Sequence, residues 1–402
     1  MEGSVIDDGI ELSTTAPLLE AEDLCVDFPT DDGVVHAVRG VTFTLREGEV
    51  LAVVGESGSG KSVTSLAIMG LLGRSAKVSG SVRYRGVELV GMKSRTLSKL
   101  RGQELAMIFQ DPLTALNPVY RVGWQLAEAI RAHHRDVSKK VAKERAVDLL
   151  ELVGIPNPVQ RARSYPHEFS GGMRQRAVIA MAVANNPDVI IADEPTTALD
   201  VTVQAQILET MEKARQASGA GMVLITHDLG VVAGAASKVL VMYAGRPVEV
   251  GTVDDIFYRP AMPYTVGLLG AMPRVDTDTE SKLSPVPGNP PSLINLPPGC
   301  PFSPRCPLTT PECNEQEPER VEVGPGHWAA CLHLDRVAGL AEERLGAGRS
   351  GVKVPDLQPA EPQPPGPQPP EPSRSATGDL DTHDAGTSSG VRSTGVTGEA
   401  GR

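Results

Sequence analysis

The chain has 402 residues, a formal net charge of -12 and a pI near 5.2. This length allows more than one domain, since single domains usually hold roughly 100 to 200 residues. The acidic balance argues against a nucleic-acid-binding protein, which normally presents a basic face. The opening residues MEGSVIDDGIELSTT lack the basic start and apolar run of a signal peptide, and no later stretch has the roughly 18 uninterrupted apolar residues of a membrane-spanning helix. We therefore expect a cytoplasmic protein.

The first part of the chain predicts strands and one βα unit. We expect residues 1–20 to form a flexible leader. The stretches LCVDF, VTFTL and EVLAVVG then alternate or run apolar over lengths typical of strands. EVLAVVG continues through ESGSG into KSVTSLAIMGLLG, whose apolar residues are spaced as in a helix. The order of strand, glycine turn and helix indicates a βα unit.

The middle of the chain predicts helices and then buried strands. Between Leu97 and Ser164, charges and leucines recur at helical intervals and we find no convincing strand, so we predict a helical subdomain at about 97–185. After it, VIIAD and GMVLIT are nearly continuous apolar runs, typical of parallel strands covered on both faces. The fold class is therefore α/β, with a helical insert.

The last part of the chain changes in composition. Proline and glycine become frequent beyond Pro273, and residues 336–402 include the stretch PDLQPAEPQPPGPQPPEPSRS. Such a composition cannot bury a core and favours extended conformations. We predict a disordered, proline-rich tail over 336–402, for which the sequence indicates no function.

The stretch GESGSGKS matches the phosphate-binding motif G-x-x-x-x-G-K-[ST], in the required place between a strand and a helix. Its glycines let backbone N–H groups turn toward phosphate oxygens, and the helix start adds its dipole. Lys61 would contact the outer phosphates and Ser62 would offer a hydroxyl to Mg²⁺; a glycine-rich turn without a ligand is the alternative. The predicted nucleotide-binding residues here are Gly55, Glu56, Ser57, Gly58, Ser59, Gly60, Lys61, Ser62 and Val63.

The run VIIADE supplies carboxylates for the same site. A buried strand would deliver Asp193 to the Mg²⁺ side of the phosphates, with Glu194 beside it to orient and deprotonate water. An apolar strand ending in Asp-Glu is weak evidence alone, since a solvated strand end explains it equally. After a phosphate loop it predicts the second half of an ATP site.

Three further motifs follow in order, namely FSGGMRQR, ADEPTTALD and LITHD. Together with the phosphate loop they resemble the ATP-binding subunit of an ABC transporter. The resemblance covers about 21–255 and implies a P-loop α/β core with an antiparallel β subdomain and a helical insert. In that family the Ser-Gly-Gly segment faces ATP held by the opposite subunit, so a dimer is implied. Ser170 can cap the helix, while Gly171 and Gly172 leave backbone N–H groups accessible.

The resemblance also implies roles for single residues. Gln110 would be the glutamine that contacts Mg²⁺ and water, and Asp200 would join the nucleotide site. His227 would contact the γ-phosphate, although a lone histidine at a strand end is more often structural. Phe28 is our candidate for stacking on adenine, with a core phenylalanine as an equal explanation.

The segment after residue 255 indicates which branch of the ABC transporter family the chain resembles. YRPAMPYTVGLLGAMP and GNPPSLINLPPGCPFSPRCP are similar to the C-terminal region of oligopeptide and dipeptide importer ATPases, especially the D-type subunit. Met173 in the FSGGM motif also resembles that subunit, whereas Met262 stands where the subfamily commonly has histidine, so no role passes to it. The similarity implies a peptide-importer-type region at 256–335.

The subfamily resemblance also implies partners. They are a related F-type ATPase subunit in a heterodimer, two membrane permeases and an external peptide-binding protein, with the chain peripheral to the cytoplasmic face of the membrane. A nickel or other metal-complex importer shares these motifs and stays open. A soluble ABC ATPase of DNA repair or translation is the alternative from another class, but it would be expected to have two cassettes or long coiled-coil insertions.

Four of the five cysteines lie in one short segment, at Cys300, Cys306, Cys313 and Cys331. In a reducing cytoplasm, clustered cysteines are more often metal ligands or free thiols than disulfides. The surrounding 288–335 has too few large apolar residues for a core of its own, and small units often need a metal as a brace. Spacing alone leaves a [4Fe-4S] cluster, Zn²⁺, and unligated thiols or disulfides open, while the peptide-importer resemblance implies the iron–sulfur cluster.

Overall fold

The computed structural model describes residues 5–6, 10–13, 15–197, 200–272 and 286–345. The predicted disorder of residues 346–402 therefore lies outside the described part of the chain. Within that part, no helix is both long enough and apolar enough to cross a membrane.

The described residues form both strands and helices. The strands are β1 Val5–Ile6, β2 Ile10–Glu11, β3 Leu19–Thr30, β4 Gly33–Leu45, β5 Val50–Val54, β6 Lys77–Tyr84, β7 Val87–Glu88, β8 Leu105–Ile108, β9 Val189–Asp193, β10 Gly221–Thr226, β11 Lys238–Tyr243, β12 Arg246–Thr252, β13 Val321–Gly324 and β14 His327–Ala329. The helices are α1 Lys61–Ile68, α2 Ser94–Leu100, α3 Pro112–Ala115, α4 Val122–His133, α5 Lys139–Leu152, α6 Pro158–Arg161, α7 Gly171–Ala182, α8 Val201–Ser218, α9 Leu229–Ala235, α10 Val253–Tyr258, α11 Pro263–Gly270, α12 Pro311–Glu315 and α13 Leu334–Leu345, with 3₁₀ turns at Pro166–Glu168 and Ser303–Arg305.

The larger sheet carries the centre of the fold. Its strand order over the described residues is β13-β14-β12-β11-β5-β10-β9-β8. Strands β11, β5, β10, β9 and β8 are parallel, and β12, β14 and β13 continue the sheet in antiparallel pairing. Every residue of β5, β9 and β10 is buried, as expected for parallel strands covered on both faces.

Successive residues of β9 point into two different cores, because side chains alternate across a strand. Val189 and Ile191 belong to a core shared with α1 and the antiparallel sheet. Ile190 and Ala192 belong to a second core shared with α4, α5, α7 and α8. The last residue, Asp193, therefore leaves the sheet at its carboxyl edge with both faces of the strand fixed by packing.

A second, antiparallel sheet has the strand order β4-β3-β6-β7. The chain enters it earlier than predicted: Leu12 and Leu18 are buried in the core beneath this sheet. Ser13 and Arg85 are joined through their backbones, as are Arg85 and Leu18. The prediction of a flexible leader over 1–20 is wrong for this part, because isolated leucines show no period and are buried only through contacts with distant residues.

The helical region consists mainly of α3 to α7, and helices α4, α5 and α7 pack around Leu126, Ala146 and Leu150. The prediction that no strand lies between Leu97 and Ser164 is wrong, since β8 pairs in parallel with β9 at the edge of the larger sheet. Its sequence, LAMI, is too short to show a period, and only its pairing with β9 makes it a strand.

The large apolar residues of the segment 288–335 pack onto the rest of the protein, in agreement with the prediction that this segment has too few for a core of its own. Phe302 packs into a third core with Val54 and Val241 of the larger sheet and Tyr264 of α11. The hairpin of β13 and β14 extends that sheet by pairing with β12. The predicted disorder of 336–402 is wrong up to residue 345, because α13 buries Val337, Leu340 and Leu345.

Candidate active site

The phosphate loop joins the end of β5 to the start of α1, as the sequence predicted. Three of its glycines have positive φ angles: Gly55, Gly58 and Gly60, at 154°, 78° and 97°. A Cβ on Gly55 would lie 2.2 Å from the backbone oxygen of Met242, and a Cβ on Gly60 would lie 2.4 Å from that of Ala37. The loop thus needs glycine for its conformation and for the close approach of neighbouring backbone.

Lys61 is folded onto its own loop. Its ammonium group donates hydrogen bonds to the carbonyl oxygens of Gly55 and Glu56, at 2.9 and 3.0 Å. The residue is 4% exposed, and this burial lowers its pKa. Ser59 in the same loop has a buried hydroxyl with no partner among the described residues. A buried cation and an unpaired hydroxyl on a glycine-rich loop at the start of a helix suit an anionic ligand such as a nucleoside triphosphate.

The two phosphate-handling motifs meet directly. The hydroxyl of Ser62 donates a hydrogen bond of 2.9 Å to Asp193 at the end of β9. Burial raises the pKa of Asp193, against the lowering effect of that hydrogen bond. A hydroxyl and a carboxylate are oxygen ligands of the kind that Mg²⁺ prefers, so this pair fits the predicted ion.

Glu194 is the meeting point of four motifs. Its carboxylate accepts hydrogen bonds from Gln110, at 3.1 Å, and from Thr197, at 3.0 Å. The Lys61 ammonium lies 3.8 Å from one carboxylate oxygen, and the His227 ring nitrogen lies 3.4 Å from the other. The structure therefore brings together the predicted residues Lys61, Gln110, Glu194 and His227, and adds Thr197, which the sequence analysis did not single out.

The backbone of Glu194 has an uncommon conformation, with φ at 45°. For a residue other than glycine, this left-handed conformation costs about 1–2 kcal/mol. The N–H group of Glu194 donates to the carbonyl of Ile225 in β10, at 3.0 Å, and so holds it in this position. Such strained residues concentrate at functional sites, where surrounding contacts hold them.

The remaining predicted nucleotide residues lie elsewhere. Ser170 caps α7 by accepting a hydrogen bond from the N–H of Met173, and Gly171 and Gly172 begin that helix. Asp200 caps α8 in the same way. Among the described residues, no hydrogen bond or ion pair joins these groups to Lys61 or Glu194. Phe28 is half-buried in β3 against the core of the antiparallel sheet.

Comparison with known proteins identifies the family. The family model described as ABC transporter matches residues 38–197, and the one described as Oligopeptide/dipeptide transporter, C-terminal region, matches residues 248–313. The oligopeptide transport ATP-binding protein OppD of Salmonella typhimurium is 51% identical over 327 residues, which cover 80% of this chain and 97% of that protein. The chain belongs to this ABC transporter family.

Two further relatives define the extent of the match. The OppD protein of Mycobacterium tuberculosis is 56% identical over 324 residues, 81% of this chain, but the chain spans only 53% of the length of that relative. The solved dimeric ATP-binding cassette MJ0796, bound to ADP and Pi, covers 58% of this chain and 98% of its own, with 25% identity and a TM-score of 0.53. The predicted ABC ATPase cassette fold is thereby confirmed.

Two residues that form hydrogen bonds with the phosphate loop were not predicted from the sequence. The guanidinium of Arg305 donates to both carboxylate oxygens of Glu56, at 2.6 and 2.8 Å. The hydroxyl of Tyr264 accepts a hydrogen bond of 2.8 Å from the N–H of Glu56. No local pattern links Glu56 to Arg305, because the two are 249 positions apart.

The four clustered cysteines of this ABC subunit line one small cavity, together with Met262 and Phe302. All four are free thiols, so no disulfide joins them. Burial raises the pKa of Cys300, and it raises the pKa values of Cys306 and Cys331 to about 11. Four thiols have the donor chemistry of iron–sulfur or zinc sites. In the described part of the chain, however, no three or more His, Cys, Asp or Glu side chains are arranged to hold a metal ion.

Proposed function

We propose that the chain binds and hydrolyses ATP to power the import of oligopeptides and dipeptides through an ABC transporter. One observation carries this proposal: Gln110, Thr197, Lys61 and His227 surround the carboxylate of Glu194 beside the phosphate loop. A carboxylate held by two hydrogen-bond donors next to a phosphate-binding loop suits the orientation of a water molecule for attack on a phosphoryl group.

The residues around ATP would have separate roles in phosphate binding, Mg²⁺ binding and proton transfer. Lys61 would exchange its bonds to the loop carbonyls for contacts with the outer phosphates. Ser62 and Asp193 would hold Mg²⁺ with the help of Gln110, and the ion would neutralise phosphate charge. Glu194 would accept the proton of the attacking water, and His227, whose side chain is 57% exposed, is free to contact the γ-phosphate. Phe28 remains our proposed adenine contact.

The Ser-Gly-Gly segment would act on the nucleotide of a second subunit. Ser170 caps α7, and the N–H groups of Gly171 and Gly172 at the start of this 12-residue helix would form an anion site. Among the described residues, no hydrogen bond or ion pair joins Ser170 to Lys61 or Glu194 of the same chain, which is consistent with a site shared between two subunits; Asp200 would lie at the same interface. MJ0796, whose solved form is dimeric, offers a precedent for such an arrangement.

We infer the partners from the family. They are a related F-type ATPase subunit, two membrane permeases and an external peptide-binding protein, with the chain on the cytoplasmic face of the membrane. In this proposal residues 21–255 form the cassette and 256–335 the peptide-importer-type region. If only homodimers co-purify with the permeases, the F-type partner is ruled out.

Peptide import is favoured over nickel import by the C-terminal match. Residues 248–313 match the oligopeptide and dipeptide transporter region, which lies outside the ATP-binding motifs shared by all ABC cassettes. The test is a complex reconstituted in vesicles with its neighbouring subunits, supplied in turn with peptides and with Ni²⁺. We expect ATP-dependent peptide uptake, and none when Lys61→Ala removes the cation from the phosphate site. Uptake of Ni²⁺ without peptide uptake would contradict the proposal.

We also propose that Cys300, Cys306, Cys313 and Cys331 hold a [4Fe-4S] cluster. All four residues line one cavity, which supports the proposal, and the cluster would serve as a structural brace with thiolate ligands. Anaerobic purification followed by iron and zinc analysis tests this. We expect about four iron atoms per chain; iron-free, colourless protein would rule the cluster out, and zinc would point to the alternative metal.

A further inference from the structure

Arg305 connects the cysteine segment to the phosphate loop. Its side chain is 4% exposed, and it forms a two-pronged ion pair with Glu56, the second residue of the loop. Charge-assisted pairs with this geometry fix orientation as well as adding energy. Because Arg305 lies immediately before Cys306, this pair is a direct link between the two sites.

Glu56 is held by contacts from four residues. Arg305 binds its carboxylate, Tyr264 accepts its N–H, and Lys61 and the N–H of Ser59 donate to its carbonyl. The contact with Lys61 would be released when the lysine contacts phosphate, and the contact with Ser59 lies within the loop itself. Arg305 and Tyr264 would then be the anchors that tie Glu56 to the rest of the protein, so the position of this part of the loop would depend on them.

Arg305 is itself fixed by its surroundings. It donates to the carbonyls of Pro287 and Val286, at 2.7 and 3.3 Å, and to the Tyr243 hydroxyl at 3.1 Å. Its guanidinium also lies 5.9 Å from the centre of the Phe302 ring. A donor held in this way loses little freedom when it binds its partner, so it can hold Glu56 rather than follow it.

The charge of Arg305 matters as well as its position. Without it, the Glu56 carboxylate would stand unpaired next to the place where a triphosphate binds. Like charges at short range repel, and the effect is larger where the groups are partly removed from water. Loss of Arg305 would therefore weaken ATP binding in two ways, by releasing the loop and by exposing phosphate to a negative charge.

We propose that Arg305 is a positioning residue for the phosphate loop, through which the C-terminal cysteine segment sets the affinity for ATP. The proposal rests on the proposed ATP-binding function. It assigns a role in nucleotide binding to a segment that contains none of the phosphate-binding motifs.

The test compares four variants of the full-length chain. Arg305→Gln and Glu56→Gln each break the ion pair from one side, and the double variant breaks it without leaving an unpaired charge. Arg305→Lys keeps the charge but loses the two-pronged geometry. The matched control is Glu317→Gln, because Glu317 ties the same segment to Arg39 of β4 and Arg246 of β12 rather than to a residue of the loop.

Two measurements decide the result. The first is the ATP dissociation constant, which we expect to rise about 10-fold in Arg305→Gln, within the range usual for coupled sites, and less in Arg305→Lys. We expect the double variant to stay weaker than wild type, and Glu317→Gln to match wild type. Unchanged ATP affinity in Arg305→Gln and Glu56→Gln, or an equal loss in Glu317→Gln, would overturn the proposal.

The second measurement is amide hydrogen exchange without nucleotide. Residues 56–59 should exchange faster in Arg305→Gln and in Glu56→Gln than in wild type or Glu317→Gln, with exchange in β9 and β10 unchanged. Equal exchange at residues 56–59 would overturn the role of Arg305, whatever the ATP result. Failure of the wild-type chain to bind ATP would instead overturn the proposed function, so the two failures can be told apart. If Arg305→Gln does not fold, Arg305→Lys and Glu56→Gln answer the same question.

Discussion

An alanine substitution should lower the free energy of unfolding more at Gly60 of the phosphate loop than at Gly58. Gly58 and Gly60 both have positive φ angles, so alanine at either position costs about 1–2 kcal/mol of backbone strain. The two sites differ in space: a Cβ on Gly58 meets nothing within 4 Å, whereas a Cβ on Gly60 would lie 2.4 Å from the Ala37 oxygen and 3.3 Å from a Met242 methyl group. The Gly60→Ala substitution must therefore also displace backbone, either of the loop or of Ala37.

That displacement sets the expected magnitude. Inserting a methyl group into a packed site typically costs a further ~1–3 kcal/mol. The loss of chain entropy in the unfolded state is common to both variants and cancels in their comparison. We expect the free energy of unfolding of Gly60→Ala to fall below that of Gly58→Ala by this further amount.

Urea unfolding of the two full-length variants, without nucleotide, measures this difference through the transition midpoints. Wild type and Gly219→Ala serve as controls, since Gly219 also has a positive φ with open space around it, far along the chain at the end of α8. Equal losses for Gly58→Ala and Gly60→Ala would refute the reasoning from close backbone approach.

Two further predictions concern anchors near the site and in the C-terminal half. Tyr264→Phe removes the acceptor of the Glu56 N–H in a fully buried position, so the free energy of unfolding should fall by about 1–3 kcal/mol; an unchanged urea midpoint would show that the N–H finds another partner. Burial acts to raise the pKa of Asp255, but hydrogen bonds from Thr252 and Arg259 outweigh it and lower that pKa from 3.8 to about 2. A depressed carboxyl pKa contributes stability above the unfolded value that is lost as pH falls toward 2. Asp255→Asn should therefore be less stable than wild type at neutral pH, and the gap should close between about pH 4 and pH 2; a gap of constant size would contradict this cause.

The central strands and the phosphate site were predictable because their signals are local. VIIAD and GMVLIT became β9 and β10, and the GESGSGKS motif became the loop between β5 and α1. The sequence analysis also expected Asp193, at the end of a buried strand, to lie beside the phosphate loop, and Ser62 of that loop donates a hydrogen bond to it. The role of each residue there remains a prediction.

Most of the features that the sequence did not predict depend on contacts between distant parts of the chain. Strand β8 is four residues long and exists through its pairing with β9, and Leu12 and Leu18 are buried by a sheet formed later in the chain. Helix α13 does have apolar residues at helical spacing, but it sits at the border of a proline-rich stretch whose composition dominated the interpretation. The ion pair of Arg305 with Glu56 is purely tertiary and leaves no mark in either local sequence.

The central claim is that Glu194 is the base of an ATP-hydrolysing site, and Glu194→Gln tests it most directly. The amide keeps the shape of the side chain but cannot accept a proton in the same way. Glu209→Gln is the matched control, because Glu209 is an exposed glutamate on α8 that forms an ion pair with Lys213 of the same helix. Steady-state ATPase activity and ATP binding are measured in the assembled complex. We expect Glu194→Gln to bind ATP but to hydrolyse it at least ~10²-fold more slowly, the usual loss for a general base, and Glu209→Gln to match wild type. Turnover by Glu194→Gln at the wild-type rate would contradict the central claim.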